Sequence, residues 1–240
     1  MPRLSKTRRL ERAGEVVAAL ARDYPEAECA LIHDGPFQLL VATILSAQCT
    51  DARVNLFTLE LFRRWPDAVA LAAASQDEVE EVVRSTGFYR NKATNLRGMA
   101  EALVARHGGE VPRDIEALVA LPGVARKTAN VVLGTSFGLP MGVVVDTHVH
   151  RIAHRLGLSS EHDPNKVERD LIELLPRDEW TAFSHRVILH GRRVCVARSP
   201  PCADCSLREG CPSRQDVARP KSLLDKKGIT TAKPARRRRT

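Results

Sequence analysis

Residues 112–137 read PRDIEALVALPGVARKTANVVLGTSF. A helical run over 114–120 stops at Leu121-Pro122-Gly123-Val124, which has the composition of a tight turn. A second helix starts at about Arg126 and runs to Phe137. Gly123 supplies the positive φ that such a turn needs and that residues with a Cβ resist. Leu121, Val124 and Val131 can pack the two helices together. A helix that begins directly after a turn leaves its first backbone N–H groups without intrahelical partners. Its dipole adds positive potential there, so the unit can hold a phosphate. It can equally be a plain helical packing unit. Lys127 falls in the first turn of the second helix. The dipole and neighbouring Arg126 both disfavour its ammonium form, and an amine freed of its proton attacks a carbonyl or a sugar C1′. Taken alone, the same lysine is an ordinary surface residue.

Helical periodicity extends outward from this stretch in both directions. Apolar spacing predicts helices over 6–22, 37–47, 51–65, 76–85 and 89–107 on the N-terminal side, and over 148–156, 165–175 and 178–191 on the other. Leu39, Leu40, Thr43, Ile44 and Ala47 share one helical face, and Asp51 is placed to cap the helix that follows. Val143–Val145 is the one strand-like run; it is short, has no partner in view and reads as an extended linker. It leads into Asp146-Thr147-His148, where Asp146 can be a helix N-cap, a carboxylate held at a domain junction, or both. Gly138-Leu139-Pro140 interrupts the helical pattern and marks a domain boundary.

Four of the six cysteines lie within one short segment, Cys195, Cys202, Cys205 and Cys211, spaced C-x6-C-x2-C-x5-C. No signal for export accompanies them, so disulfides are disfavoured. Four thiolates suit structural zinc and an iron–sulfur cluster equally by ligand type. Arg198 projects from the loop between the first two and can be offered to a phosphate or simply solvated. Cys29 and Cys49 read as small core residues in helical surroundings.

The chain of 240 residues is 43% hydrophobic and 28% charged, which excludes wholesale disorder, and its 4% aromatic content makes the core aliphatic. No uncharged apolar run approaches the roughly 18 residues of a membrane span, and the N-terminal MPRLSKTRRLERAG lacks the apolar centre of a secretory signal. The net charge of +8 arises entirely after residue 218, where nine basic side chains face one acid, Asp225. Residues 1–218 balance, so the tail offers sequence-independent attraction to a polyanion without showing that the body binds one. Only Lys6, Lys92, Lys127 and Lys166 precede the tail, in a chain that otherwise uses arginine.

Four segments, in order, resemble the endonuclease III family of DNA glycosylase/AP lyases. LSAQCTD at 45–51 resembles its LSAQ-T-D signature, and LPGVARKTANVVL at 121–133 its helix-hairpin-helix with the catalytic lysine. VDTHVHR at 145–151 resembles the segment with its catalytic aspartate, and ILHGRRVC at 188–195 leads into the cysteine pattern. The resemblance covers about residues 8–212. It implies an all-α fold in which two helical domains flank a DNA-binding cleft. Residues 28–140 would form a six-helix domain with the helix-hairpin-helix, residues 1–27 and 141–212 an iron–sulfur domain, and 213–240 a basic, disordered tail.

The resemblance also implies an activity, the removal of oxidised pyrimidines from duplex DNA with cleavage of the abasic strand by β-elimination. Lys127 would be the Schiff-base nucleophile and Asp146 its electrostatic and acid/base partner. Gln48 would enter the duplex near the vacated base and Phe88 would wedge it. Leu121, Gly123, Ala125, Arg126, Thr128 and Arg198 would touch DNA, and Cys195, Cys202, Cys205 and Cys211 would hold a [4Fe-4S] cluster. The partner would be double-stranded DNA with a damaged pyrimidine or abasic site, bound by a monomer at the nucleoid of a bacterial-type cytoplasm, with no membrane. Three positions depart from the family pattern. Ala125 stands where a second hairpin glycine is usual, which predicts a negative φ there. Cys49 replaces a small residue, and Phe88 replaces an aliphatic wedge. A monofunctional glycosylase of the same superfamily would lack Lys127, and a non-catalytic DNA clamp with zinc would be colourless.

Overall fold

The structure is a computed structural model, and it describes residues 5–214. Among those residues the secondary structure is helical, with no strand. The helices are α1 (Lys6–Asp23), α2 (Gly35–Leu45), α3 (Asp51–Arg64), α4 (Ala68–Ala73), α5 (Gln76–Val83) and α6 (Tyr89–His107). They continue with α7 (Ile115–Val119), α8 (Arg126–Phe137), α9 (Thr147–Arg155), α10 (Pro164–Leu174) and α11 (Trp180–Arg193). The basic tail from residue 219 lies outside the described residues.

Local chemistry accounts for most starts. Asp67, Asp114 and Asp146 each accept a backbone N–H of the first turn at 2.8 Å. Ser75 and Glu78 form a reciprocal capping box at α5. Glycines in the left-handed region, Gly108 and Gly138, stop α6 and α8.

Two apolar clusters organise these helices. One gathers buried residues from Leu31 to Leu133 and is filled by α2 to α8; the other joins Ala13, Val16, Ala19 and Leu20 of α1 and Tyr24 just after it to residues between Val143 and Leu207. α1 thus returns across the chain to pack on α10 and α11. Buried Arg9 ties it down, donating to Leu158 O and pairing with Asp170, each at 3.2 Å. α2 is the axis of the first cluster, with every residue from Leu39 to Leu45 buried.

The structure departs from the sequence expectations at several points. α2 is buried all round rather than along one face, and it ends at Leu45, leaving Ala47 exposed in the turn. Thr50, not Asp51, is the N-cap of α3, so Asp51 is its first helical residue and faces the cleft. α4 was not expected: AVALAA has no polar interruption to mark a helical face, and its Ala68 and Leu71 pack against α6. The predicted helices over 76–85 and 178–191 each include a 3-10 turn, Arg84–Thr86 and Arg177–Glu179. Cys29 and Cys49 lie in loops, half-buried at the margin of the first cluster. Val143–Val145 forms no strand among the described residues and serves as a connector.

Candidate active site and cysteine cluster

The hairpin stands on α6. Gly123 has φ +75°, and a Cβ there would come within 2.7 Å of Asn95 Cβ; Pro122 rests against Gly98. The first contact requires a glycine in the turn, and the second a small residue at position 98 of α6. Leu121 and Val124 are buried in the first cluster, so their side chains pack the hairpin onto the core. Ala125 has φ −87° and ψ 165°, the negative φ expected, and it caps α8 without a side-chain bond. The first amides of α8 are therefore not taken by a cap side chain, and Gly123, Ala125, Arg126 and Lys127 are exposed beside them, with Thr128 half-buried.

Arg126 turns away from Lys127. Its guanidinium pairs with Glu168 on α10 at 3.4 Å. Glu168 is itself buried and accepts from Asn130 Nδ2 at 3.0 Å, so it fastens the N-terminal end of α8 to α10. The chain leading to Asp146 passes through the same contact. A Cβ at Gly142 would collide with the Glu168 carboxylate and the Asn130 amide.

Asp146 Oδ1 accepts from His148 N and Val149 N at 2.8 Å each, so the N-cap and the junction carboxylate are one residue. Oδ2 makes no hydrogen bond among the described residues. Lys127 at the start of α8 and Asp146 at the start of α9 line one cavity of about 120 Å3, which continues into an open cleft of about 700 Å3 that both also line. Gln48 lines the open part, exposed and held at φ +56°. Phe88 is 66% exposed, at φ +48°, and borders neither cavity. Arg198 lies exposed on the cysteine loop, away from both.

The inner cavity adds residues that no local pattern marked: Glu28, Ser46, Ser184, His185 and Arg192. They come from loops and helices distant in sequence; Ser46 and Arg192 lay in quoted motifs without being singled out. Burial holds the His185 imidazole below the usual histidine value, against the opposing pull of Glu28. Cys29 lines the same cavity, its thiol pushed up by burial.

Cys195, Cys202, Cys205 and Cys211 line a separate small cavity of about 30 Å3 with Arg155, His190 and Leu207. Burial pushes the Cys205 and Cys211 thiols up, and the neighbouring cysteines add to it. No three His, Cys, Asp or Glu side chains among the described residues converge as they would on a single metal ion. Four thiols around one cavity are a donor set that suits a thiolate-bound metal group. Donors surround them. Arg155 Nη1 reaches Cys195 Sγ at 3.2 Å and Val196 O at 2.8 Å, and His190 Nε2 lies 3.7 Å from Cys205 Sγ.

Residues 41–177 match the HhH-GPD superfamily of base excision DNA repair proteins. The chain is 54% identical over 205 residues to an endonuclease III of Synechocystis, covering 85% of this chain and 94% of that protein. It is 44% identical to that of Bacillus subtilis over 86% and 91% of the two chains, and 37% identical to that of Escherichia coli K12 over 89% and 99%. Among solved structures it is similar to a non-covalent endonuclease III–DNA complex, with a TM-score of 0.81 and 42% identity over 85% of this chain and 95% of the other. It is equally similar, at TM-score 0.81 and 42% identity over 85% and 96%, to a trapped endonuclease III–DNA covalent intermediate. With its hairpin, its paired lysine and aspartate and its relatives at this level of identity, the chain belongs to the endonuclease III family within the HhH-GPD superfamily of base excision DNA repair proteins.

Proposed function

We propose that this chain is a bifunctional DNA N-glycosylase and AP lyase that removes oxidised pyrimidines from duplex DNA and cuts the abasic strand through a Lys127 Schiff base. The observation that carries the reading is the meeting of Lys127 and Asp146, each at the start of its helix, on one cavity that opens into a cleft.

Extruding the damaged base costs a few kcal/mol, and less where its pairing is already weakened. Gln48 fills the place it leaves and Phe88 wedges the stack; the exposure of both and their left-handed backbone at loop tips support this. Deprotonated Lys127 Nζ bonds to C1′ as the bond from C1′ to the base breaks, and the base leaves with that electron pair and takes up a proton. The sugar ring opens to an imine on Nζ. The imine acidifies the C2′ hydrogen, and its removal expels the 3′ phosphate by breaking C3′–O3′. Water then hydrolyses the imine and returns the amine.

Asp146, oriented by its two amide bonds, stabilises positive charge on the sugar and relays protons. Phosphates lie on the uncapped amides of α8 and the hairpin around Gly123 and Ala125, with Arg126 and Thr128 beside them, which positions DNA without reading sequence. Arg198 would meet the backbone farther along.

Cys195, Cys202, Cys205 and Cys211 would hold a [4Fe-4S] cluster, which supplies the charge that keeps four thiolates together. Residues 28–140, and 1–27 with 141–212, would be the two domains, a division supported by the separate apolar clusters. Among the described residues no helix is long and apolar enough to cross a membrane. We read the protein as a monomer acting on nucleoid DNA.

Borohydride trapping on a duplex with one abasic site tests the reading. Wild type is expected to give a covalent adduct that a folded Lys127→Ala variant does not. A cluster-loaded, DNA-binding wild type that gives no adduct would exclude lyase chemistry.

A further inference from the structure

Lys92 is one of four lysines before the tail, and it is the buried one, at 5% exposure. It sits in the first turns of α6, and its ammonium donates to Leu45 O and to Thr86 O, both at 2.8 Å. No carboxylate pairs with it among the described residues, and burial lowers its pKa from the usual lysine value. Each acceptor has a specific place. Leu45 is the last residue of α2, where carbonyls lack helical partners and the dipole is negative. Thr86 ends the 3-10 turn before α6, and its own hydroxyl donates to Val83 O at 2.8 Å.

Three residues after Leu45 comes Gln48, at φ +56°; two after Thr86 comes Phe88, at φ +48°. A left-handed residue with a Cβ is strained and persists only where its surroundings hold it. Arg53 Nε adds a bond from α3 to Ser85 O at 2.8 Å, on the same turn.

We propose that Lys92 is a positioning residue that sets the Gln48 loop and the Phe88 loop relative to each other by clamping one backbone carbonyl from each. This rests on the reading of Gln48 and Phe88 as the residues that enter the duplex. Base extrusion needs both tips at once, one in the vacated place and one in the stack. A single ammonium shared by the two loops fixes their separation before DNA arrives. An apolar side chain here would leave both carbonyls buried without a donor and the loops without a common anchor.

The test compares cluster-loaded wild type and Lys92→Met on one abasic strand, single-stranded and in duplex, in single-turnover strand cleavage. A single strand has no stack to wedge, while the lyase chemistry is the same. The duplex rate is expected to fall by about tenfold or more, as misplacement of positioning groups does, with the single-strand rate nearly unchanged. In a Gln48→Ala/Phe88→Ala background, Lys92→Met is expected to change the duplex-to-single-strand ratio no further. An unchanged ratio in Lys92→Met, or an equal further fall in that background, overturns the proposal. A Gln48→Ala/Phe88→Ala protein with the wild-type ratio overturns the underlying reading and the proposal with it. Should Lys92→Met not fold, Lys92→Gln carries the test. Its shorter, neutral amide cannot bridge both carbonyls as the ammonium does, so it is expected to lower the ratio, and an unchanged ratio in the folded variant overturns the proposal.

Discussion

Arg192 Nη2 lies 2.5 Å from Asp51 Oδ2, an ion pair that joins α11 of one apolar cluster to α3 of the other. The two residues are 141 apart in sequence, and both line the cavities that hold Lys127 and Asp146. The side chains are partly exposed, 40% and 24%, so solvent screens the pair. Asp51→Asn is therefore expected to change stability by no more than about 1 kcal/mol. The released guanidinium becomes available to a phosphate, and the salt slope of DNA binding should steepen by about one unit. Binding titrations over a range of salt check this; weaker binding with an unchanged slope would make the pair purely structural.

Asp146 has two roles that substitution can separate. Asparagine caps a helix about as well as aspartate, so Asp146→Asn is expected to keep wild-type stability while losing the charge and slowing borohydride-trapped adduct formation. Asp146→Ala loses the cap as well, and its stability should fall by about 0.5–2 kcal/mol. Equal urea midpoints for the two variants would remove the capping role.

Burial holds the His185 imidazole below the ordinary histidine value in the cavity it shares with Lys127 and Asp146, with Glu28 opposing and Thr135 Oγ1 3.4 Å from its Nε2. Its folded pKa lies below the ordinary 6.5, so as pH falls the unfolded chain takes up this proton first. The stability it supports is complete above about pH 6.5 and is lost as pH drops from there toward the lower folded value. Thermal unfolding from pH 8 to pH 5 should therefore show a smaller acid loss in His185→Gln than in wild type. Identical pH profiles would assign the acid loss to other groups.

Glu168 is the buried acceptor for Asn130, whose Oδ1 already has no partner. Glu168→Ala would orphan the other end of that amide and free Arg126, at a cost of about 1–3 kcal/mol. Glu168→Gln can keep the bond to Asn130 and should lose less. Urea unfolding of both variants decides this, and equal losses would argue that the charge of Glu168 matters rather than its bond.

Much of the fold is legible one helix at a time. α6 and α8 begin and end where their apolar spacing places them, because capping, turn chemistry and amphipathic period are local properties that agree here. Ala125 is legible for the same reason: φ is a local quantity, and a residue with a Cβ at that turn implies its sign. The failures are also physical. AVALAA gives no periodic signal, because alanine is nearly indifferent to burial. α2 looks amphipathic from five residues and is buried on every side once other helices surround it.

The amino-acid order by itself determined the helical class, the hairpin with Lys127 in its second helix, the Asp146 cap and the family to which four ordered motifs belong. Each is encoded within a few consecutive residues, where spacing alone carries the information. Only the tertiary structure decided that Lys127 and Asp146 share a cavity, that His185, Glu28 and Arg192 line it, that Arg126 serves Glu168, and that Lys92 binds the Gln48 and Phe88 loops together. Those relationships join residues far apart in the chain, and they exist because two apolar clusters close independently and leave their polar margins facing each other across the cleft.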